Sequence, residues 1–186
     1  MKLMIASDIH GSAKWCARLL EAWRAEAPDR LLLLGDLLYH GPRNDLPEDY
    51  APKRVIEMLN GIAPHVLCVR GNCEAEVDQM VMRFPVIADY CALLVDGHAI
   101  YATHGHRFGE DNPPPLMPGD FLLCGHTHLP GCRVHERFTY LNPGSVAIPK
   151  NGTPHSYCVL EGGAMTWVDL CGGPFDRHQL WPSQAS

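Results

Sequence analysis

The sequence has no apolar run close to the roughly 20 residues that a membrane-spanning helix needs. It also lacks the basic, apolar and small-residue pattern of a cleavable secretory signal, because a strand-like segment, 2–6, follows Met1 directly. We therefore expect a cytoplasmic protein that has no membrane partner.

An excess of positive charge is missing as well. The chain holds 15 Lys and Arg against 21 Asp and Glu, which gives a formal net charge of −6 and an isoelectric point near 6.0. Stable binding of nucleic acid requires a basic face that neutralises phosphates. We therefore expect no stable nucleic-acid complex.

The sequence has eight cysteines but no C-x-x-C pair. A structural zinc knuckle normally needs such pairs, so none is expected. Without a secretory signal, a disulfide framework is not expected either. A phosphatase with a cysteine nucleophile is also less plausible than one that uses metal ions.

What the sequence does contain is a repeated order of strand followed by a potential metal ligand. Five short apolar runs, 3–6, 31–34, 66–69, 100–103 and 121–124, each precede such a residue. Sites in open α/β sheets form beyond the carboxyl ends of strands, so these side chains are expected to converge. The candidates are Asp8, His10, Asp36, Asn72, His104, His126 and His128.

Local spacing within the motifs favours ligation. The pairs 8/10 and 126/128 are each two residues apart, and in extended backbone such residues point to the same side. Glycine next to each motif permits sharp turns and close approach of the backbone. These glycines are Gly11, Gly35, Gly71 and Gly125.

The first third of the chain alternates strands and helices, which predicts parallel strands. Ser12 is the expected N-cap of a helix that ends at Glu26; a second helix covers 53–59 and a short one follows Glu74. From Val86 onward strand follows strand. We predict an α/β protein, α+β in some schemes, with two packed sheets flanked by helices. We expect residues 1–170 to form one domain and 171–186 to form a loosely structured tail, in which Trp181 is a candidate for docking onto the domain.

The chemistry of the donor set points to two metal ions. Four imidazoles, two carboxylates and one amide oxygen exceed the four ligands of a closed zinc site. They suit two cations that share a carboxylate. Nitrogen and oxygen ligands without thiolate are compatible with Mn, Fe or Zn.

The order D-x-H, G-D, G-N, single His and G-H-T-H resembles the calcineurin-like metallophosphoesterase superfamily. The similarity is greater to its small bacterial phosphodiesterases of the YfcE type, and it covers about residues 1–160. The segments 7–11, 40–44, 69–73, 103–106 and 142–145 carry it. The resemblance implies a β-sandwich flanked by helices, with a dinuclear site at the C-terminal ends of strands.

The resemblance also implies an activity and a cofactor. The expected reaction is hydrolysis of a small phosphodiester by a hydroxide that bridges two divalent ions and attacks phosphorus in line. Manganese is the expected metal, with Zn, Fe, Ni and Co as alternatives. A phosphomonoesterase or protein phosphatase that uses the same metals remains open, as does a metal-poor scaffold like the related retromer subunit. Self-association is also left open.

The resemblance assigns each ligand. It places Asp8, His10 and His128 on the first metal and Asn72, His104 and His126 on the second, with Asp36 as the bridge. Asp36, Asn72 and His104 are also the expected catalytic residues.

Four further residues are candidates for substrate contact, and each has a structural alternative. His40 contacts substrate or is simply a loop residue; Arg43 binds phosphate or pairs with Asp45. His106 orients a ligand, touches substrate or lies on the surface. Cys73 stands where many members of the superfamily have a histidine that protonates the leaving group. Because a thiol has an ordinary pKa of about 8.5, general-acid catalysis here is in doubt.

Overall fold

Two β-sheets packed face to face form the frame of the protein, and the computed structural model describes residues 1–182. The first sheet comprises β1 (Leu3–Ala6), β2 (Arg30–Leu33), β3 (Val66–Cys68), β9 (Ser156–Glu161), β10 (Ala164–Asp169) and β11 (Pro174–Gln179). Their order across the sheet is β11-β10-β9-β1-β2-β3. Neighbouring strands β1, β2 and β3 run parallel, and the other pairs are antiparallel.

The second sheet contains five strands: β4 (Cys91–Val95), β5 (His98–Ala102), β6 (Asp120–Leu123), β7 (Gly131–Val134) and β8 (Phe138–Asn142). Their order is β4-β5-β6-β8-β7, with β5, β6 and β8 parallel. Each sheet therefore has a core of three parallel strands. Antiparallel strands extend one side of the first core and both sides of the second.

The helices lie where the sequence predicts them. They are α1 (Ala13–Glu26), α2 (Pro52–Asn60), α3 (Glu76–Gln79) and a 3-10 turn at Ala63–His65. The side chain of Ser12 caps α1 by accepting the N–H of Trp15 at 3.4 Å, as the sequence predicts.

The side chains of β1 alternate between two apolar cores, one between the two sheets and one between the first sheet and the helices. Leu3 and Ile5 point into the core between the two sheets, where they join residues such as Ile100 and Phe121 of the second sheet. Met4 and Ala6 point to the other face of the first sheet, where the apolar sides of α1 and α2 cover them. All four residues of β1 are buried. This arrangement confirms the predicted two-sheet sandwich flanked by helices.

The prediction of a loose tail after Leu170 needs correction. Residues 174–179 form β11, which pairs with β10 at the edge of the first sheet, and Trp181 is buried. Five of the six β11 residues are exposed, so the strand lacks the apolar pattern that would reveal it in the sequence. The last four positions of the predicted tail, 183–186, lie outside the described residues. Within residues 1–182, no helix has both the length and the apolar character to cross a bilayer.

Candidate metal centre

All seven predicted ligands meet at one end of the sandwich. They lie on loops that follow the carboxyl ends of parallel strands, three in the first sheet and two in the second. Asp8 and His10 follow β1, Asp36 follows β2, Asn72 follows β3, His104 follows β5, and His126 and His128 follow β6.

Five of these ligands have a left-handed backbone. The φ angles are 60° at Asp8, 49° at His10, 54° at Asp36, 64° at His126 and 62° at His128. Extended backbone has negative φ, so the prediction that the two motifs are extended is wrong. Non-glycine residues adopt positive φ rarely and at a cost, and such residues cluster at functional sites.

Pairing between two loops holds the first motif in this shape. The N–H of Asp8 donates to Gly35 O at 3.1 Å, and the N–H of His10 donates to Asp36 O at 2.9 Å. The next N–H, that of Gly11, donates to Leu37 O at 2.8 Å. The chain after β1 thus stays beside the chain after β2 while it turns, and both ligands of the motif face the site.

Two glycines are required because the carboxylates approach the backbone closely. A Cβ atom on Gly71 would overlap Asp36 Oδ1, and one on Gly125 would overlap Ser7 Oγ and approach Asp8 Oδ2 to 2.9 Å. Both glycines therefore serve close approach, as predicted.

Asp8, His10 and His128 form one cluster of donor atoms. The Nε2 atoms of His10 and His128 are 3.3 Å apart. Asp8 Oδ1 lies 3.3 Å from His128 Nε2 and 3.5 Å from His10 Nε2. All three residues are buried. The other carboxylate oxygen, Oδ2, accepts the N–H of His126 at 3.1 Å, which links this cluster to the next.

The second cluster is centred on His104. Its Nε2 atom lies 3.2 Å from Asn72 Oδ1, 3.3 Å from His126 Nδ1 and 3.5 Å from Asp36 Oδ2. The same oxygen of Asp36 is 3.8 Å from Nε2 of His10. One carboxylate oxygen therefore faces both clusters, which is the position of a shared ligand.

Three of the imidazoles are oriented by backbone carbonyls. The bonded pairs are His10 Nδ1 with Tyr39 O at 2.8 Å, His104 Nδ1 with Leu34 O at 2.6 Å, and His128 Nδ1 with Ile148 O at 2.6 Å. A carbonyl only accepts, so the proton is on Nδ1 and, in the neutral ring, the lone pair of Nε2 faces the site. Metal-binding histidines are usually fixed in this way.

The donor set fits cations. Asp8 Oδ1 is buried and receives no hydrogen bond within residues 1–182, although the imidazoles of His10 and His128 lie 3.5 Å and 3.3 Å from it. Burial opposes ionisation, but these two close imidazoles outweigh it and hold the pKa of Asp8 well below its ordinary value. An ionised oxygen that faces two lone pairs requires a proton or a metal ion between them.

Negative charge at the second cluster also favours a proton or a cation there. Burial lowers the pKa of His104, but the hydrogen bond to Asp36 and the charges of Asp8 and Asp36 raise it to about 9. Burial raises the pKa of Asp36, yet its contact with His104 dominates and lowers it. Burial and His104 together lower the pKa of His126 to about 4. Without metal, His104 therefore holds the proton of this cluster.

Sequence reasoning did not identify Glu74 as part of the site. Its buried carboxylate accepts the N–H groups of Asp36 at 2.9 Å, Leu37 at 2.7 Å and Gly71 at 2.6 Å. Burial and the charge of Asp36 raise its pKa to about 7. Glu74 thus fastens the loop after β2 to the loop after β3. Its position directly after G-N-C was the available signal.

Cys73 lies against the carboxylate of Asp36. Its N–H donates to Asp36 Oδ1 at 2.9 Å, and its thiol donates to Asp36 Oδ2 at 3.3 Å. Burial and the charge of Asp36 raise the pKa of this thiol. The side chain therefore stays protonated at neutral pH, and it is both a weak nucleophile and a weak acid.

The other candidates separate into two groups. Arg43 lines the cavity in front of the metal ligands and forms no ion pair with Asp45 within the described chain. His40 packs edge-on against Tyr39 and Tyr50 and does not line this cavity. His106 lies with its ring centroid 5.4 Å from that of His104, beside smaller neighbouring cavities.

Three polar residues of the motifs have structural roles. Arg70 donates to the backbone carbonyl of Glu74 at 3.2 Å. Asn142 donates to Gly125 O at 2.8 Å, and Ser145 donates to Asp8 O at 3.0 Å. Each of these bonds ties one ligand-bearing loop in place.

The C-x5-R spacing of a cysteine-nucleophile phosphatase does occur in the chain, at Cys171 and Arg177. Residues 174–179 are the strand β11, so the backbone there is extended and does not wrap around an anion. The spacing has no catalytic meaning in this position.

Comparison with known proteins agrees with the geometry. The family model described as calcineurin-like phosphoesterase superfamily domain matches residues 1–164. Phosphodiesterase YfcE from Escherichia coli is 48% identical over 170 residues, which cover 91% of this chain and 92% of that protein. A solved structure of YfcE, a phosphoesterase from E. coli, has a TM-score of 0.93 at 45% identity and covers 97% of this chain and 100% of the other. Vps29 from Entamoeba histolytica, solved with Zn²⁺, has a TM-score of 0.62 at 18% identity, covers 97% of this chain and 99% of its own, and shares the fold.

Proposed function

This chain belongs to the calcineurin-like phosphoesterase superfamily, and we propose that it hydrolyses small phosphodiesters with two divalent metal ions. The observation that carries the proposal is the position of Asp36. Its Oδ2 atom lies 3.8 Å from His10 Nε2 in one donor cluster and 3.5 Å from His104 Nε2 in the other.

Each cluster supplies ligands for one ion in this proposal. Asp8, His10 and His128 would hold the first, Asn72, His104 and His126 the second, and Asp36 would be shared. When bound, the ions supply Lewis-acid charge that lowers the pKa of a water molecule and polarises phosphoryl oxygens. Asp36, Asn72 and His104 are the proposed catalytic residues: Asp36 lies between the clusters, Asn72 lines the cavity, and His104 lies against both of them.

The protein's own part is to hold donor atoms and charge in place. Backbone carbonyls fix the rings of His10, His104 and His128, so little reorganisation is needed when charge develops on the phosphate. Cys73 keeps its proton and donates a hydrogen bond, but it is too weak an acid to assist departure of a poor leaving group.

A diester is the proposed substrate class because the relative at 48% identity carries the name phosphodiesterase. Hydrolysis of bis(4-nitrophenyl) phosphate and of 4-nitrophenyl phosphate by the manganese-loaded protein separates the alternatives. We expect a higher kcat/KM for the diester. A higher value for the monoester would favour the phosphomonoesterase.

Manganese is the proposed metal. Nitrogen and oxygen donors without thiolate are compatible with it and equally with Zn, Fe, Ni or Co, which are the alternatives. Stripping the protein and restoring each ion in turn would rank them by rate. Little bound metal together with no turnover of any ester would instead favour the metal-poor interaction scaffold.

The binding partners and the cellular location of the protein are part of the same proposal. A net charge of −6 argues for a small substrate rather than a nucleic acid. We also propose a cytoplasmic location without a membrane partner; all eight cysteines are free thiols, which fits the reducing cytoplasm. Homo-oligomer formation is left to a measurement of mass in solution.

A further inference from the structure

A wide cavity opens in front of the metal ligands. Its volume is about 670 Å³, which falls in the range of sites that bind whole ligands rather than single ions. Asp36, Asn72 and His128 form its floor on the metal side. The space is larger than a phosphate group needs, so the substituents of the substrate are expected to lie within it.

Two cations stand on the walls of this cavity. Arg43 belongs to the loop between β2 and α2, and Lys150 belongs to the segment between β8 and β9. Among the described residues that line the cavity, Asp36 is the single acidic one. Within residues 1–182, the side chains of Arg43 and Lys150 form no ion pair or hydrogen bond.

The negative charge of a simple diester does not balance the positive charges around this cavity. A phosphodiester carries one negative charge, which the ions that Asp36 would help to hold would neutralise. The two wall cations are left without a counter-charge in a chain whose overall charge is −6. Both cations are exposed to the cavity and to solvent.

We propose that Arg43 and Lys150 form a subsite for a second anionic group, so that the substrate class is a phosphodiester that carries an additional phosphate on one substituent. This inference rests on the proposed function and deepens it. The guanidinium of Arg43 can bind two phosphate oxygens at once, while Lys150 adds a point charge.

A matched pair of substrates tests the subsite. Thymidine 5′-(4-nitrophenyl phosphate) and its 3′-phosphorylated form differ by one phosphate and release the same leaving group. We expect kcat/KM to be about 10-fold higher for the phosphorylated diester, mainly through KM, because two exposed charge pairs contribute modestly. The advantage should shrink as salt is added.

Variants show which residues cause the preference. Arg43→Gln and Lys150→Gln should each reduce the ratio of the two kcat/KM values about threefold, and the double variant should bring it close to 1. Arg177→Gln, on the exposed edge strand β11, makes the same change in net charge and should leave the ratio unaltered.

Binding gives a second readout. By calorimetry, thymidine 3′,5′-bisphosphate should bind more tightly than thymidine 5′-monophosphate, and the double variant should remove the difference. Equal kcat/KM values for the two diesters, or a preference that the double variant retains, would overturn the subsite and leave diester hydrolysis intact. Absence of turnover with both diesters and with bis(4-nitrophenyl) phosphate would instead overturn the proposed function, and the subsite with it.

Discussion

At the scale of single residues, Asp36 is the position at which the proposed pair of metal sites is best tested. Its Oδ2 atom faces both donor clusters. Asp36→Asn keeps the shape but removes the negative charge and leaves one neutral oxygen. We expect bound metal to fall below two ions per chain and kcat/KM for bis(4-nitrophenyl) phosphate to fall roughly 100-fold or more.

Elemental analysis of the dialysed protein and a rate measurement check this expectation. Asp45→Asn, in the exposed loop nearby, is the matched control and should keep both values. Full metal content together with full rate in Asp36→Asn would show that this carboxylate is not shared.

The proton on His104 makes metal binding depend on pH. Its pKa of about 9 in the metal-free protein exceeds the ordinary value of 6.5, and only the neutral ring binds metal. Binding must therefore displace this proton below pH 9, so affinity should fall at least about tenfold per pH unit from pH 9 to pH 7. The pKa of His10 is raised as well, so calorimetry in two buffers of different ionisation enthalpy should count at least one proton released per chain. An affinity that stays constant over this range would contradict the assignment.

Cys73 should make the rate sensitive to the leaving group. Burial and Asp36 keep its thiol protonated, so good leaving groups depart without help and poor ones do not. We expect nitrophenyl diesters to react faster than alkyl diesters, with log kcat falling steadily as the pKa of the leaving group rises. Cys73→His should flatten this slope, while Cys171→His, far along the chain and exposed, should not. Equal rates across the series for the unmodified protein would contradict this role of Cys73.

At the scale of loops and strands, the sequence predicts which residues reach the site but not how the backbone carries them. Five strands are each followed by a candidate ligand, and this order identified the five loops, because parallel strands place their carboxyl ends together. The spacing of Asp8 and His10 suggested extended backbone, whereas both have positive φ. That shape comes from hydrogen bonds to Gly35 and Asp36 in another loop, which no local pattern reveals.

Glu74 is the strongest link between two of these loops. Its carboxylate accepts three backbone N–H groups, and a glutamine has only one oxygen to offer. Glu74→Gln should lower the free energy of unfolding by about 1–3 kcal/mol and weaken metal binding, because Asp36 and Asn72 lose their support. Denaturant unfolding and metal titration measure the two effects.

Glu76→Gln removes a neighbouring exposed carboxylate and is the matched control, with a change expected within about 0.5 kcal/mol. Unchanged stability and metal affinity in Glu74→Gln would show that the two loops keep their positions without it.

At the scale of the whole molecule, the C-terminal segment closes the sandwich. Trp181 follows the edge strand of the first sheet, yet its ring stacks on His98 at 4.5 Å and lies 5.2 Å from Phe121, both of the second sheet. The sequence did not show this because β11 has no apolar alternation. Trp181→Ala should cost about 3–5 kcal/mol of unfolding free energy.

Phe175→Ala, on β11 and 44% exposed, should cost less than about 1 kcal/mol. Urea unfolding followed by circular dichroism measures both variants. Equal and small losses would mean that Trp181 does not join the two sheets.

The whole account depends on two cations acting together at one end of the sandwich. The most direct test titrates manganese into stripped protein, at a protein concentration well above the metal dissociation constants, while hydrolysis of bis(4-nitrophenyl) phosphate is recorded. We predict no turnover without metal and a rate that rises until two equivalents per chain have been added. Turnover in the stripped protein, or a rate that is complete after one equivalent, would contradict the two-metal site.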